Sequence, residues 1–206
     1  ILVIGAAGSG KSTTLAAMLD YRNQHKAGHI ICIEDPIEFL HKHNKAVIDQ
    51  REVGLDTHSF ADALRNVLRE APDVIMLGEI RDLDTMQHAL HYAETGHLCL
   101  ATLHATSTSH AIERIVRFFP EDARHQILAD LAQNLVGVIG QRLIPALQQR
   151  RVVAVELLLA TASASTMVIA GPDILGGDDL TAFIARNSIT HAFITPAAVA
   201  GMEEQV

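Results

Sequence analysis

The 206-residue chain has no tryptophan and an aromatic share of only 4%. Its core must therefore rest on Leu, Ile, Val and Ala, the usual filling of a parallel sheet covered on both faces. Cysteine is also scarce: Cys32 and Cys99 each sit in an apolar run, HIICIE and HLCLATL. Both read as small buried hydrophobes of a reducing compartment. No CxxC pair exists, so a structural zinc site has no support. Basic residues are outnumbered, with 16 Lys and Arg against 24 Asp and Glu and a net charge of −8. A nucleic-acid binder needs a basic face to displace counterions, so no nucleic-acid partner is expected. No segment approaches the ~20 uninterrupted apolar residues of a membrane span, so no direct membrane insertion is expected either. The chain opens on ILVIG, without Met and without a basic leader. That start reads as a strand already running into its loop, and an upstream region is expected before Ile1.

What is present is a 49% hydrophobic content and an alternation of strand and helix signals, the pattern of a parallel α/β sheet. Strands are predicted at Ile1–Ile4, His29–Ile33, Lys45–Val53 (near a sheet edge), Val74–Leu77, Leu98–Leu103 and Val152–Leu159. Helices are predicted from Lys11 to His25, from Ser59 to the break at Pro72, and after the cap Asp82. A fourth starts at Ser107 or Ser109 and stops at Pro120. A further helical stretch is predicted from Glu121 to Leu143. Met86, Ala89, Leu90 and Ala93 form one expected buried stripe, and Ile112, Ile115, Val116 and Phe119 another. Beyond Thr161 the pattern weakens, leaving one short helix near Leu180 to Arg186.

The strand ILVI runs into GAAGSGKS, which satisfies GxxxxGK[ST] in the strand–loop–helix setting that the motif requires. Glycines let successive amides converge on a phosphate, and the following helix presents its positive N-terminal end to the same anion. Gly8, Ser9, Gly10, Lys11, Ser12 and Thr13 are the candidate nucleotide-binding residues. Lys11 is placed for the outer phosphates of ATP and the Ser12 hydroxyl for Mg²⁺. Hydrolysis also needs a carboxylate near the γ-phosphate. Glu79, at the end of the apolar run VIMLGE, is the candidate catalytic acid and a second candidate metal-site residue. Glu34, Asp35 and Glu38 crowd three more carboxylates into IEDPIE, either beside a metal–phosphate site or as ordinary surface acids. His97 and His104 bracket the strand HLCLATLH. His104 lies at the end where Lys11 emerges and His97 at the opposite end, and a structural role stays open for each.

Together these blocks resemble the GspE/PilT superfamily of secretion and type IV pilus ATPases. LREAPDVIMLGEIRD (Leu68 to Asp82) is similar to its Walker B signature, EDPIEF (Glu34 to Phe39) to its Asp box, and TGHLCLATLH (Thr95 to His104) to its His box. The resemblance runs from Ile1 to about Leu159. YRNQH, HIICIEDPIEFLHKHNK, QREVG and FADALRNVLREAPD look most like the pilus retraction branch. The missing cysteines after Cys99 agree with that branch, because the extension and type II secretion members carry a tetracysteine zinc insert there.

The resemblance implies a RecA-like fold with a helical C-terminal part, with the ATPase domain at 1–160 and a divergent segment at 161–206. A PAS-like domain upstream of Ile1 is implied as well. So are ATP hydrolysis with Mg²⁺, a homohexameric ring, and a place at the cytoplasmic face of the inner membrane. The implied partners are the inner-membrane pilus platform protein and a paralogous retraction ATPase. By matching position the resemblance makes Glu79 the Walker B acid, Glu34 and Glu38 the Asp-box glutamates, and His97 and His104 the His-box pair. Arg81 is a candidate for a phosphate or inter-subunit contact. One departure stands out. Where retraction ATPases carry a helix resembling AIRNLIRE, this chain reads TASASTMVIAGPD, with no charged residue before Asp173. An accessory ring subunit that binds ATP while a paralogue does the mechanical work is therefore the alternative expectation. A RecA-like nucleic-acid translocase is a third, disfavoured by the acidic balance.

Overall fold

In the computed structural model, residues 1–145, 151–160 and 167–170 are described. Among the described residues eight strands form one sheet in the order β3-β2-β4-β5-β1-β6-β7-β8. They are β1 (Leu2–Gly5), β2 (Gly28–Glu34), β3 (Ala46–Glu52), β4 (Val74–Leu77), β5 (Leu98–Leu103), β6 (Gly137–Pro145), β7 (Arg151–Ala160) and β8 (Met167–Ala170). From β3 to β6 every pairing is parallel; β7 and β8 then add antiparallel. Among the described residues five α-helices accompany the sheet: α1 (Lys11–His25), α2 (Phe60–Val67), α3 (Leu83–Glu94), α4 (Thr108–Phe118) and α5 (Arg124–Asn134).

The strands are apolar on both faces because both faces are covered. Leu2, Ile4, Ile31, Ile33, Ile75, Leu77, Cys99, Ala101 and Leu103 point to the side packed by α2, α3, α4 and α5. Val3, Ile30, Cys32, Val74, Met76 and Leu100 point to the other, against Leu15 and Leu19 of α1. This period-two division sorts each strand between two cores. On α1 the buried positions Lys11, Leu15, Leu19 and Asn23 recur every fourth residue, so the helix lies on the sheet along one narrow stripe.

Local signals account for most boundaries. Ser59 accepts from the Asp62 amide at the start of α2, Asp82 from the Thr85 amide at the start of α3, and Ser107, not Ser109, caps α4. β3 lies at the sheet edge as expected. Within α3, Met86, Ala89 and Leu90 are buried, joined by Tyr92, whose hydroxyl donates to Leu64 O at 2.6 Å. Ala93 is only partly buried. In α4, Ala111 and Ile115 form the buried line, and Ile112 and Val116 pack at its margin.

One predicted element is wrong in its C-terminal part. The helix expected from Glu121 to Leu143 ends at Asn134, and Gly137–Pro145 is strand β6, paired in parallel with β1. A short apolar run such as VGVIG has no periodicity that separates buried strand from buried helix. Gly137 decides it. A Cβ there would lie 2.9 Å from Leu158 O, so the close β6–β7 approach requires glycine. β8 was not anticipated either, and the helix expected at Leu180 to Arg186 lies outside the described residues. Among the described residues no helix is long and apolar enough to cross a membrane.

Candidate active site

The parallel strands deliver their C-terminal ends to one edge of the sheet, where ligands of open α/β folds bind. The loop after β1 is shaped by its glycines. Gly5 has φ 151°, and a Cβ on it would meet Gln141 O and Ser9 Oγ, each at 2.4 Å. Gly10, at φ 91°, turns the chain into α1. Only glycine takes such φ values without strain. The Ser9 hydroxyl is buried among these groups with no protein partner, so Ser9 shapes the loop from within. Lys11 is buried and donates from Nζ to Gly5 O at 3.1 Å and Ala6 O at 3.0 Å. Burial pushes its ammonium below the ordinary lysine value, with Glu79 and Glu38 pulling the other way.

β2 brings in the Asp box. Glu34 is 7% exposed, and burial raises its carboxyl above the usual carboxylate range, opposed by the hydrogen bond it accepts from Gln50 Nε2 at 3.1 Å. The loop beyond it is tied down twice. Gln50 Nε2 also donates to Phe39 O at 2.7 Å, and buried Asn23 on α1 donates to Lys42 O while accepting from the Asn44 and Ala46 amides. This loop presents Glu38, which accepts from Ser12 Oγ at 3.0 Å. Glu38 therefore faces the first turn of α1 although twenty-six residues separate the two in the chain.

Glu79 sits just beyond β4. β5 lies between β4 and β1, so Glu79 comes from the second strand away and not from a direct neighbour of the loop strand. Its Oε2 accepts from Arg81 Nε at 2.7 Å and its Oε1 lies 3.1 Å from His104 Nε2. Arg81 also donates to Asp35 Oδ2 at 3.1 Å. The hydrogen bond to Glu79 raises Arg81 above the usual guanidinium value. In the single chain Arg81 is thus committed to its own carboxylates.

The result is a cleft of about 400 Å³ lined by Gly8, Gly10, Lys11, Ser12 and Thr13 on one side and by Glu34, Asp35, Glu38, Glu79, Arg81 and His104 on the other. His97 is not brought to it. It lies at the far end of β5, where its Nδ1 meets Thr95 Oγ1 at 3.0 Å. Three residues with a part in the site carried no expectation from sequence. Thr102 is the single hydroxyl residue of the strand LCLATL. Gln141 donates to Thr14 Oγ1 at 2.8 Å, and Asn23 anchors the Glu38 loop. Thr102 had a legible signal, a polar side chain inside a buried strand; Gln141 was hidden in the misread helix.

Among the described residues there is no cluster of three His, Cys, Asp or Glu side chains that would hold a metal alone. The Ser12 hydroxyl facing a rim of carboxylates fits Mg²⁺, which binds through one or two protein groups together with phosphates and water.

A strand–loop–helix that buries a lysine and faces strand-end acids across one cleft defines a P-loop nucleotide-binding domain. More narrowly, the chain belongs to the type II/IV secretion system protein family, whose model matches residues 1–170, past the Leu159 limit of the resemblance seen in sequence. It is 52% identical over 172 residues to the type IV pilus ATPase PilU of Pseudomonas aeruginosa, covering 83% of this chain and 45% of that protein. It is 49% identical over 168 residues to the type IV pilus retraction ATPase PilT of the same organism, covering 82% and 49%. Among solved structures it is similar to the pilus retraction motor PilT with bound ADP. That match has 54% identity and a TM-score of 0.76 over 79% of this chain and 47% of the other. The chain spans about half the length of the curated relatives it matches.

Proposed function

We propose that the chain is the ATP-hydrolysing domain of a type IV pilus retraction motor that works as a homohexameric ring. The observation that carries this reading is that Lys11 and Ser12 line the same cleft as Glu79, Glu34 and Glu38. The triphosphate lies on the amides of Gly8 to Thr13 at the positive end of α1, and Lys11 neutralises its outer phosphates. Ser12 would hold Mg²⁺, which would supply charge neutralisation at the phosphoryl oxygens. Glu79 orients the attacking water and accepts its proton, and His104 and Arg81 hold the two carboxylate oxygens in place. Glu34 and Glu38 complete the acidic rim that faces the metal.

The names of the relatives support the motor assignment. On it, six copies assemble at the cytoplasmic face of the inner membrane against the pilus platform protein, with a paralogous retraction ATPase as a further partner. The test is phosphate release from ATP by the full-length protein with Mg²⁺. Steady turnover is the expected result. ATP binding without turnover would establish the accessory-subunit alternative, and stimulation by single-stranded DNA would point to a translocase.

A further inference from the structure

Glu79 lies just outside the regular sheet. The β4–β5 ladder ends with the pair Leu77–Ala101, and on the other side the Gly78 amide donates to Ile33 O of β2 at 2.8 Å. β2 and β4 come so close here that a Cβ on Gly78 would lie 3.2 Å from Glu34 Cα. Past that point the segment carrying Glu79 has lost its ladder, yet a general base needs a fixed position.

Thr102, on the intervening strand β5, holds the peptides on both sides of Glu79. Its Oγ1 donates to Gly78 O, and its own carbonyl accepts from the Ile80 amide at 2.9 Å. Thr102 is 4% exposed and lines the cleft, and its side chain shares the α1 face with Leu100. Two residues on, His104 reaches the Glu79 carboxylate itself. One strand therefore holds the backbone before Glu79, the backbone after it and one of its oxygens.

We propose that Thr102 is a positioning residue for hydrolysis: its hydroxyl replaces the missing ladder contact at Gly78 and fixes Glu79 against the cleft. The proposal rests on the ATPase reading above. Thr102 makes no bond of the reaction; it acts through Glu79. Removing the hydroxyl takes this donor from the part-buried Gly78 carbonyl and lets the Glu79 peptide shift. A displacement near ~1 Å of a catalytic group costs on the order of 100-fold in rate.

The test uses the full-length protein and separates kcat from nucleotide affinity. Thr102→Val, which keeps shape and backbone contact, is expected to lower kcat about 10- to 100-fold while KM and the dissociation constant for ADP stay within about 3-fold. Thr102→Ser is expected to restore kcat to within about 3-fold of wild type, because the hydroxyl is back. Combined with Glu79→Gln, Thr102→Val should cost nothing further, since both act on one group. A kcat for Thr102→Val within about 3-fold of wild type overturns the proposal, and so does an equal loss of ADP affinity. If the valine variant does not fold, Thr102→Ala is measured by the same criteria. Failure of the ATPase reading looks different: wild type releases no phosphate, or Glu79→Gln keeps its turnover, and the proposal falls with it.

Discussion

Arg81 Nε donates to Glu79 Oε2 at 2.7 Å, and His104 Nε2 lies 3.1 Å from the other oxygen, so the carboxylate is gripped at both ends within one chain. A carboxylate held this way has a defined direction, as general-base chemistry requires. Glu79→Gln keeps the size and one acceptor but cannot take a proton. Turnover is expected to fall about 100- to 10,000-fold while ADP still binds within severalfold of wild type. Steady-state phosphate release and an ADP titration measure the two quantities, and normal hydrolysis by this variant would falsify the assignment.

Ser12 is the single protein hydroxyl assigned to the metal. Ser12→Ala is expected to raise the Mg²⁺ concentration needed for half-maximal turnover, and chelation of the metal should abolish turnover in wild type. The readout is a Mg²⁺ titration of ATPase rate in both proteins. Superimposable curves would remove Ser12 from the metal site.

Glu34 sets a pH dependence of stability. Its folded-state carboxyl sits above the ordinary value of 4.5, mainly through burial, so the folded state binds that proton more tightly than the unfolded chain does. Stability is therefore gained as pH falls through the raised folded value toward 4.5, and it is lost as pH rises through that value. Glu34→Gln keeps an acceptor for Gln50 without the charge. Its melting midpoint at pH 7.5, without nucleotide, is expected to rise above that of wild type, with the gain vanishing near pH 4. Thermal denaturation at the two pH values checks the sign, and a lower midpoint at pH 7.5 contradicts it.

Gly5 tests the loop itself. A methyl group there meets Gln141 O and Ser9 Oγ at 2.4 Å on a backbone of φ 151°. Gly5→Ala is expected to cost more than about 2 kcal/mol of stability and to abolish nucleotide binding. Denaturant unfolding and ADP titration report the two effects, whereas Gly54, with open space around its Cβ position, serves as a control for the φ penalty alone.

The phosphate loop was legible in sequence because its chemistry is local. Eight consecutive residues carry the glycines, the lysine and the hydroxyl, and the preceding strand announces the setting. Caps were legible for the same reason, since Ser59 and Asp82 meet their amides three residues on. β6 was not, because VGVIG becomes a strand only by lying between β1 and β7. His97 and His104 show the same limit from the other side. They bracket one strand, but a strand keeps its ends apart, so only His104 reaches the cleft.

What the sequence determined by itself was the alternation of strand and helix, the glycine-rich loop with its lysine, and the placing of acids just after strands, because each follows from neighbours within a few residues. Tertiary structure alone decided that Ser12 meets Glu38, that Arg81 reaches Asp35, and that Thr102 brackets Glu79. Those contacts join residues far apart in the chain or on separate strands. Strand order sets them, and strand order is chosen by the burial of two whole sheet faces at once.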